Sequence, residues 1–242
     1  MNSDRSVGIV WPERYSQEDL DEVRRFIPEG TELHMVGTGP ERGSQNDITL
    51  ERVLSLSAGS NIEDSATGLV PFGVSAVAYA CTSGSYVRGV GGDTDISRRI
   101  TEATGLPATT TSSAAVEALR HLGVTRVAVL SPHIDALNRR LEGFMEDSGL
   151  AVARMVGLNR RGEIDQIPAQ SILEMVRSDV DNAEADGVFI SCTSMRTAAV
   201  IDAMEQAIGK PVVTANQATA WEVLCLAGAA RPMAGLGRLM EA

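Results

Sequence analysis

Val7-Gly-Ile-Val-Trp-Pro12 and Val127-Ala-Val-Leu-Ser-Pro132 stand 120 residues apart and read alike, as short apolar runs stopped by proline. A run of this kind predicts a buried strand, and proline ends it because it has no N–H to give a ladder. The echo continues outward. Met35-Val-Gly37 matches Met155-Val-Gly157 at the same offset, and Cys81-Thr-Ser83 matches Cys192-Thr-Ser194 at an offset of 111. Gly105-Leu-Pro107 matches Gly209-Lys-Pro211 at 104. A drifting offset is what an internal repeat with loops of unequal length produces.

Between these anchors the chain alternates. Strand-like runs fall at 7–11, 32–36, 74–80, 108–111, 126–131, 152–158, 187–191 and 211–215. Helical periodicity begins at Ser16, with Asp19 as its capping partner, and recurs at 50–58, 96–103, 113–121, 135–147, 172–180, 198–208 and 217–227. Strict strand–helix alternation with near-continuous apolar strands predicts an α/β fold with parallel sheets. The repeat divides it into two pseudo-symmetric halves, 1–121 and 122–242. Each is a four-stranded, mainly parallel sheet flanked by helices, with the active site between them.

Composition narrows the function. The chain has 242 residues, 43% apolar and 22% charged, which is ordinary globular usage, and only 4% aromatic, so the core is aliphatic. A net charge of −11 repels phosphate backbones and speaks against a nucleic-acid partner. The most apolar stretch, 68–81, is too short for a bilayer and is broken by Ser75. The N-terminal residues lack a basic segment followed by an apolar one, so a cytoplasmic protein without a membrane partner is expected. Three cysteines make no disulfide framework, no cluster has metal-ligand spacing, and Gly89-Val-Gly-Gly92 lacks the setting of a dinucleotide fingerprint. That glycine-rich segment reads instead as a loop able to gate a cleft, or as plain surface.

The chemistry concentrates at the repeated cysteines. Cys81 and Cys192 each end an apolar strand and are each followed by Thr-Ser. In open α/β sheets ligands bind beyond the carboxyl ends of strands. A thiol at a helix N-terminus feels the dipole and unpaired N–H groups, which lower its pKa. The same N–H groups, with the hydroxyls of Thr82, Ser83, Thr193 and Ser194, can hold a carboxylate or enolate oxygen. The bland alternative is a pair of small buried core residues; duplication at strand ends favours a site. Cys225 has no counterpart and reads as core packing. Asn216 opens a helix after a strand, as a cap or a carboxylate ligand. Arg196 could pair a substrate carboxylate or sit solvated. His133 could donate to substrate, shuttle a proton or cap the helix near Asp135.

Ala-Cys81-Thr-Ser-Gly-Ser and Ser-Cys192-Thr-Ser-Met-Arg, followed by the stretch from Gly209 to Trp221, resemble the aspartate/glutamate racemase superfamily. Within it they are most similar to the maleate cis-trans isomerase and arylmalonate decarboxylase branch, and also to ectoine-utilisation proteins. The resemblance covers nearly the whole chain. It implies cofactor-independent chemistry on a small carboxylate or dicarboxylate, with Cys81 as nucleophile or base and Cys192 as proton donor. Pro12 and Tyr15 fall where the branch grips a carboxylate, Tyr15 replacing its usual asparagine. His133 replaces the tyrosine of its Ser-Pro-Tyr, and Ser194 the histidine of amino-acid racemases. Arylmalonate decarboxylases carry glycine at the first position, so Cys81 points to an isomerase ahead of a decarboxylase of a malonate-type acid or an amino-acid-derivative racemase. Apolar helix faces of this fold often pair, so a homodimer is expected. A non-catalytic two-lobed binding module is the alternative of another class.

Overall fold

The computed structural model describes residues 5–39 and 48–241. Two four-stranded, wholly parallel sheets form its frame. The first contains β1 (Arg5–Trp11), β2 (Thr31–Gly37), β3 (Val77–Tyr79) and β4 (Ala108–Thr110), in the order β2-β1-β3-β4. The second contains β5 (Arg126–Ser131), β6 (Ala151–Gly157), β7 (Gly187–Ile190) and β8 (Val212–Thr214), in the order β6-β5-β7-β8. The permutation is the same in both, as the repeat predicts, and the α/β architecture is the expected one. The central strands are buried on both faces: Val7, Ile9, Val10 and Trp11 in β1, and Val127 through Leu130 in β5. That is why their sequences are continuous apolar runs and not alternating ones. The edge strands β2 and β6 are only half-buried.

Helices cover the sheets. α1 (Gln17–Arg24) opens with the anticipated capping pair: Asp19 N–H donates to Ser16 Oγ at 3.2 Å, and Ser16 N–H to Asp19 Oδ2 at 3.0 Å. α2 (Leu50–Ala58) follows β2, then α3 (Asn61–Thr67), α4 (Thr82–Tyr86) and α5 (Gly92–Thr104). α6 (Thr111–His121) follows β4, α7 (Asp135–Asp147) follows β5, and α8 (Ala169–Met175) runs into a single π turn over Val176–Val180. α9 (Ile201–Ile208), α10 (Ala215–Leu226) and α11 (Arg238–Glu241) complete the chain. The short α3, α4 and α11 carry too few turns for a periodic signal. The helix expected from 198 starts at Ile201, and just before it Glu22 of α1 accepts the N–H groups of Thr197 and Ala198.

The halves interlock. α6 leaves the first sheet and packs on the second, its Ala115 and Leu119 in one cluster with Val127, Val129, Phe189 and Val213. α10 makes the reciprocal move and lies against β1, β3 and β4. The two helices meet each other through a Thr111–Thr219 hydroxyl hydrogen bond of 2.8 Å. α10 is accordingly buried through Ala215, Asn216, Gln217, Ala218, Thr219 and Ala220. Cys225, read from sequence as core, is exposed near its end; Val223 and Leu224 take the buried face.

Candidate active site

β3 delivers Cys81 and β7 delivers Cys192 to one cavity between the sheets, of about 120 Å³. Pro12, Thr82, Ser83, His133, Thr193 and Ser194 share its lining. The first motif touches the second directly, since Thr193 Oγ1 donates to the carbonyl of Ala80 at 3.2 Å. The phenol of Tyr86, fully buried, lies close enough to feel both thiols. Burial first, then those thiols, hold its pKa well above the ordinary phenol range.

Cys81 caps α4. Its Sγ accepts the N–H of Gly84 at 3.3 Å and lies 4.0 Å from Ser83 Oγ. The geometry demands glycine at 84, because a Cβ there would sit 2.9 Å from Cys81 Sγ and 3.1 Å from the Tyr79 hydroxyl. The sequence argument expected this N-terminus to lower the thiol pKa. Burial wins instead and pushes it up, with Gly84 N–H, the Tyr79 hydroxyl and the Ser83 hydroxyl pulling in the other direction. The helix has only five residues and its first turn is buried, so its dipole cannot replace the lost hydration.

Cys192 is built differently. No helix follows it, and its φ is +91°, a left-handed backbone that costs a residue with a Cβ on the order of 1–3 kcal/mol. The surrounding structure over-determines the turn. Asn216 Nδ2 donates to Thr193 O at 2.9 Å from α10, and Met195 N–H returns to Cys192 O at 3.1 Å.

His133 is 2% exposed, and neither ring nitrogen has a hydrogen-bond partner among the described residues. Burial lowers its pKa to about 4, so the ring is neutral at pH 7, with one N–H to donate and one lone pair to accept. Its backbone is fixed by Asn138 Nδ2, which donates to His133 O at 2.9 Å.

Three expected ligands lie elsewhere. Tyr15 packs beside Trp11 and Val23, its hydroxyl donating to Met35 O at 3.0 Å, so it braces β2 and is absent from the lining. Asn216 is buried behind the cavity and supports the Cys192 turn through the bond already described. Arg196 is paired with Asp19 of α1, at 3.2 Å, and is likewise absent from the lining. The 89–92 segment does not line the cavity either. Asp93 anchors it, accepting from Gly91 N–H at 3.1 Å and from Ser113 Oγ at 2.6 Å.

Sequence reasoning missed another part of the lining. Trp11, Val53, Leu56 and Ile164 make it apolar, and Glu13 and Arg52 form an ion pair on it. Glu13 takes a φ of +61°, and Gly37 allows the approach, since a Cβ there would meet Glu13 O at 2.2 Å. The pair joins residues 39 positions apart, so no local pattern announces it. Among the described residues no group of three or more His, Cys, Asp or Glu side chains could hold a metal, and no helix is long and apolar enough to cross a membrane.

Comparison with known proteins places this geometry in company. The family model for arylmalonate decarboxylase matches residues 56–240. Arylmalonate decarboxylase of Bordetella bronchiseptica is 29% identical over 240 residues, 98% of this chain and 96% of that protein. Maleate isomerase of Nocardia farcinica is 28% identical over 173 residues, 68% of each. Among solved structures, a liganded arylmalonate decarboxylase mutant, with one glycine changed to cysteine and one cysteine to serine, superposes with a TM-score of 0.86. Its identity is 28%, covering 97% of this chain and 98% of that one.

Proposed function

The chain belongs to the arylmalonate decarboxylase family, and on that premise we propose that it is a cofactor-independent isomerase of a small carboxylate or dicarboxylate. Cys81 is the nucleophile or base and Cys192 the proton donor. One observation carries the reading: two buried thiols, one from each half, line the same small cavity.

The chemistry follows from that placement. Cys81 releases its proton to water, and the thiolate adds to one carbon of a cis double bond. The electron pair moves onto the carboxylate of the other carbon as an enediolate. Cys192 gives that carbon its proton and then takes it back. Rotation about the new single bond and expulsion of the Cys81 thiolate yield the trans acid. Thr82, Ser83 and Ser194, with the backbone N–H groups around them and around Thr193, hold carboxylate oxygens, while the Thr193 hydroxyl gives its proton to the Ala80 carbonyl. His133 donates its N–H to the same charge, and Pro12 closes the pocket end. Tyr15 and Asn216 act from behind, bracing the walls. The enzyme is taken to work in the cytoplasm on a small molecule, as a homodimer.

A second reading has its own support. The apolar wall of Trp11, Val53, Leu56 and Ile164 suits a bulky substituent on a malonate-type acid. There one carboxylate would leave as carbon dioxide, and Cys192 would protonate the enediolate that remains.

Incubation with maleate and with phenylmalonate in deuterated water separates the two. Fumarate from maleate without retained solvent deuterium, its formation lost in Cys81→Ser and in Cys192→Ser, is the expected result. Carbon dioxide from phenylmalonate that survives Cys81→Ser would install the decarboxylase instead. Turnover of either acid by a protein lacking both thiols would overturn both.

A further inference from the structure

The segment after Cys192 is not held by its own half. Glu22 of α1, 7% exposed, reaches across from the first half. Its Oε1 accepts Thr197 N–H at 2.6 Å and Ala198 N–H at 2.9 Å. One turn earlier on the same helix, Asp19, 1% exposed, accepts Arg196 Nη2 at 3.2 Å, and Ser16 Oγ takes the same nitrogen at 3.4 Å. Asp19 is itself fixed by the Ser16 capping box. Three consecutive residues, Arg196 to Ala198, are thus gripped by two carboxylates spaced three apart on one helix face.

We propose that α1 is a clasp that positions Cys192, with Glu22 as the main positioning residue and the Asp19–Arg196 pair as its outer arm. The inference rests on the reading of Cys192 as a reacting thiol. Cys192 sits at a φ of +91° and a free loop would relax from it. On its upstream side β7 fixes the backbone, and immediately after it Thr193 is bonded to Ala80 and Asn216. Downstream, Met195 N–H bonds back to Cys192 O, so what holds Arg196 to Ala198 also holds the turn. Glu22 is a demanding anchor to build. Burial pushes its carboxyl above the ordinary carboxylate range, while the two N–H groups pull it back. A carboxylate buried against two backbone donors of another half makes sense as a device that locks those donors in place. Because α1 follows β1 and the gripped segment follows β7, the clasp also ties the two walls of the cavity together.

The test reads thiols, not turnover, so it stands whether or not the isomerase reading holds. Wild type, Glu22→Ala, Glu22→Gln and Arg196→Ala are treated with iodoacetamide, and the labelling rates of Cys192 and Cys81 are taken by peptide mass spectrometry. Cys81, held by its own α4, is the internal reference. Glu22→Ala is expected to raise the Cys192-to-Cys81 rate ratio about tenfold, the equivalent of one lost hydrogen bond to a charged acceptor. Glu22→Gln, whose carbonyl still accepts both N–H groups, is expected to stay within about twofold of wild type, and Arg196→Ala to raise the ratio about threefold. An unchanged ratio in Glu22→Ala, or both cysteines accelerating together in every variant, overturns the clasp. If Glu22→Ala does not fold, the Arg196→Ala ratio decides on the same terms.

Discussion

The two Cys-Thr-Ser turns have one sequence and two structures. Cys81 caps a short helix in an ordinary extended conformation, φ −138°, with a backbone N–H on its sulfur. Cys192 ends its strand in a left-handed turn with no helix behind it, supported by side chains from α1 and α10. Sequence symmetry therefore does not carry over into chemical symmetry. The first turn offers a preformed donor to a developing thiolate. The second holds its thiol in a pose that only the assembled molecule maintains, which suits a group that must deliver a proton to one place.

Substitutions that remove either sulfur break the comparison most severely. Cys81→Ser is expected to lower kcat by about 10⁴-fold or more, as loss of a covalent nucleophile does, and Cys192→Ser by about 10²–10⁴-fold, as loss of a general acid does. Steady-state assay of the two acids named above checks both; equal, small losses would erase the distinction between the turns. Gly84→Ala is next. Its Cβ would crowd the Cys81 sulfur, at about 1–3 kcal/mol of strain. Alkylation of Cys81 is expected to slow about tenfold while Cys192 keeps its rate, which sharpens the claim that each turn is built separately.

His133 gives a smaller, pH-dependent signature. Its folded pKa, about 4, lies below the ordinary 6.5, so the unfolded chain binds the extra proton. Stability contributed by its neutral form is complete above pH 6.5 and is lost as the pH falls toward 4, by roughly 3 kcal/mol in all. In denaturant melts between pH 7 and 4 the wild type should lose about that much more stability than His133→Phe; parallel curves would show that the ring is solvated. Tyr15→Phe has the least effect expected. It removes one hydrogen bond behind the site, about 1 kcal/mol of stability, with kcat and KM unchanged. A large rise in KM would return Tyr15 to the cavity.

The fold was largely legible because parallel central strands write themselves as apolar runs, and the 120-residue echo of 7–12 in 127–132 doubled the signal. The thiol pair was legible for the same reason. What stayed hidden depends on long-range contact. The Glu13–Arg52 ion pair, the hold of Glu22 on Thr197 and the exchange of α6 and α10 between sheets join residues far apart in sequence, and local patterns do not record them. Tyr15 and Asn216 are both absent from the cavity lining: the Tyr15 hydroxyl donates to the Met35 carbonyl and Asn216 Nδ2 to the Thr193 carbonyl. The thiol pKa was misjudged because spacing shows a helix start and does not show how deeply that start is buried.

The central claim is that one ligand in one cavity meets both sulfurs. Iodoacetamide labelling of wild type across a titration of maleate, repeated with phenylmalonate, measures it directly. Protection curves for Cys81 and Cys192 should superimpose, with a single midpoint for each acid, while the exposed Cys225 labels at a constant rate. Protection of one cysteine without the other, or two separate midpoints, would contradict the account.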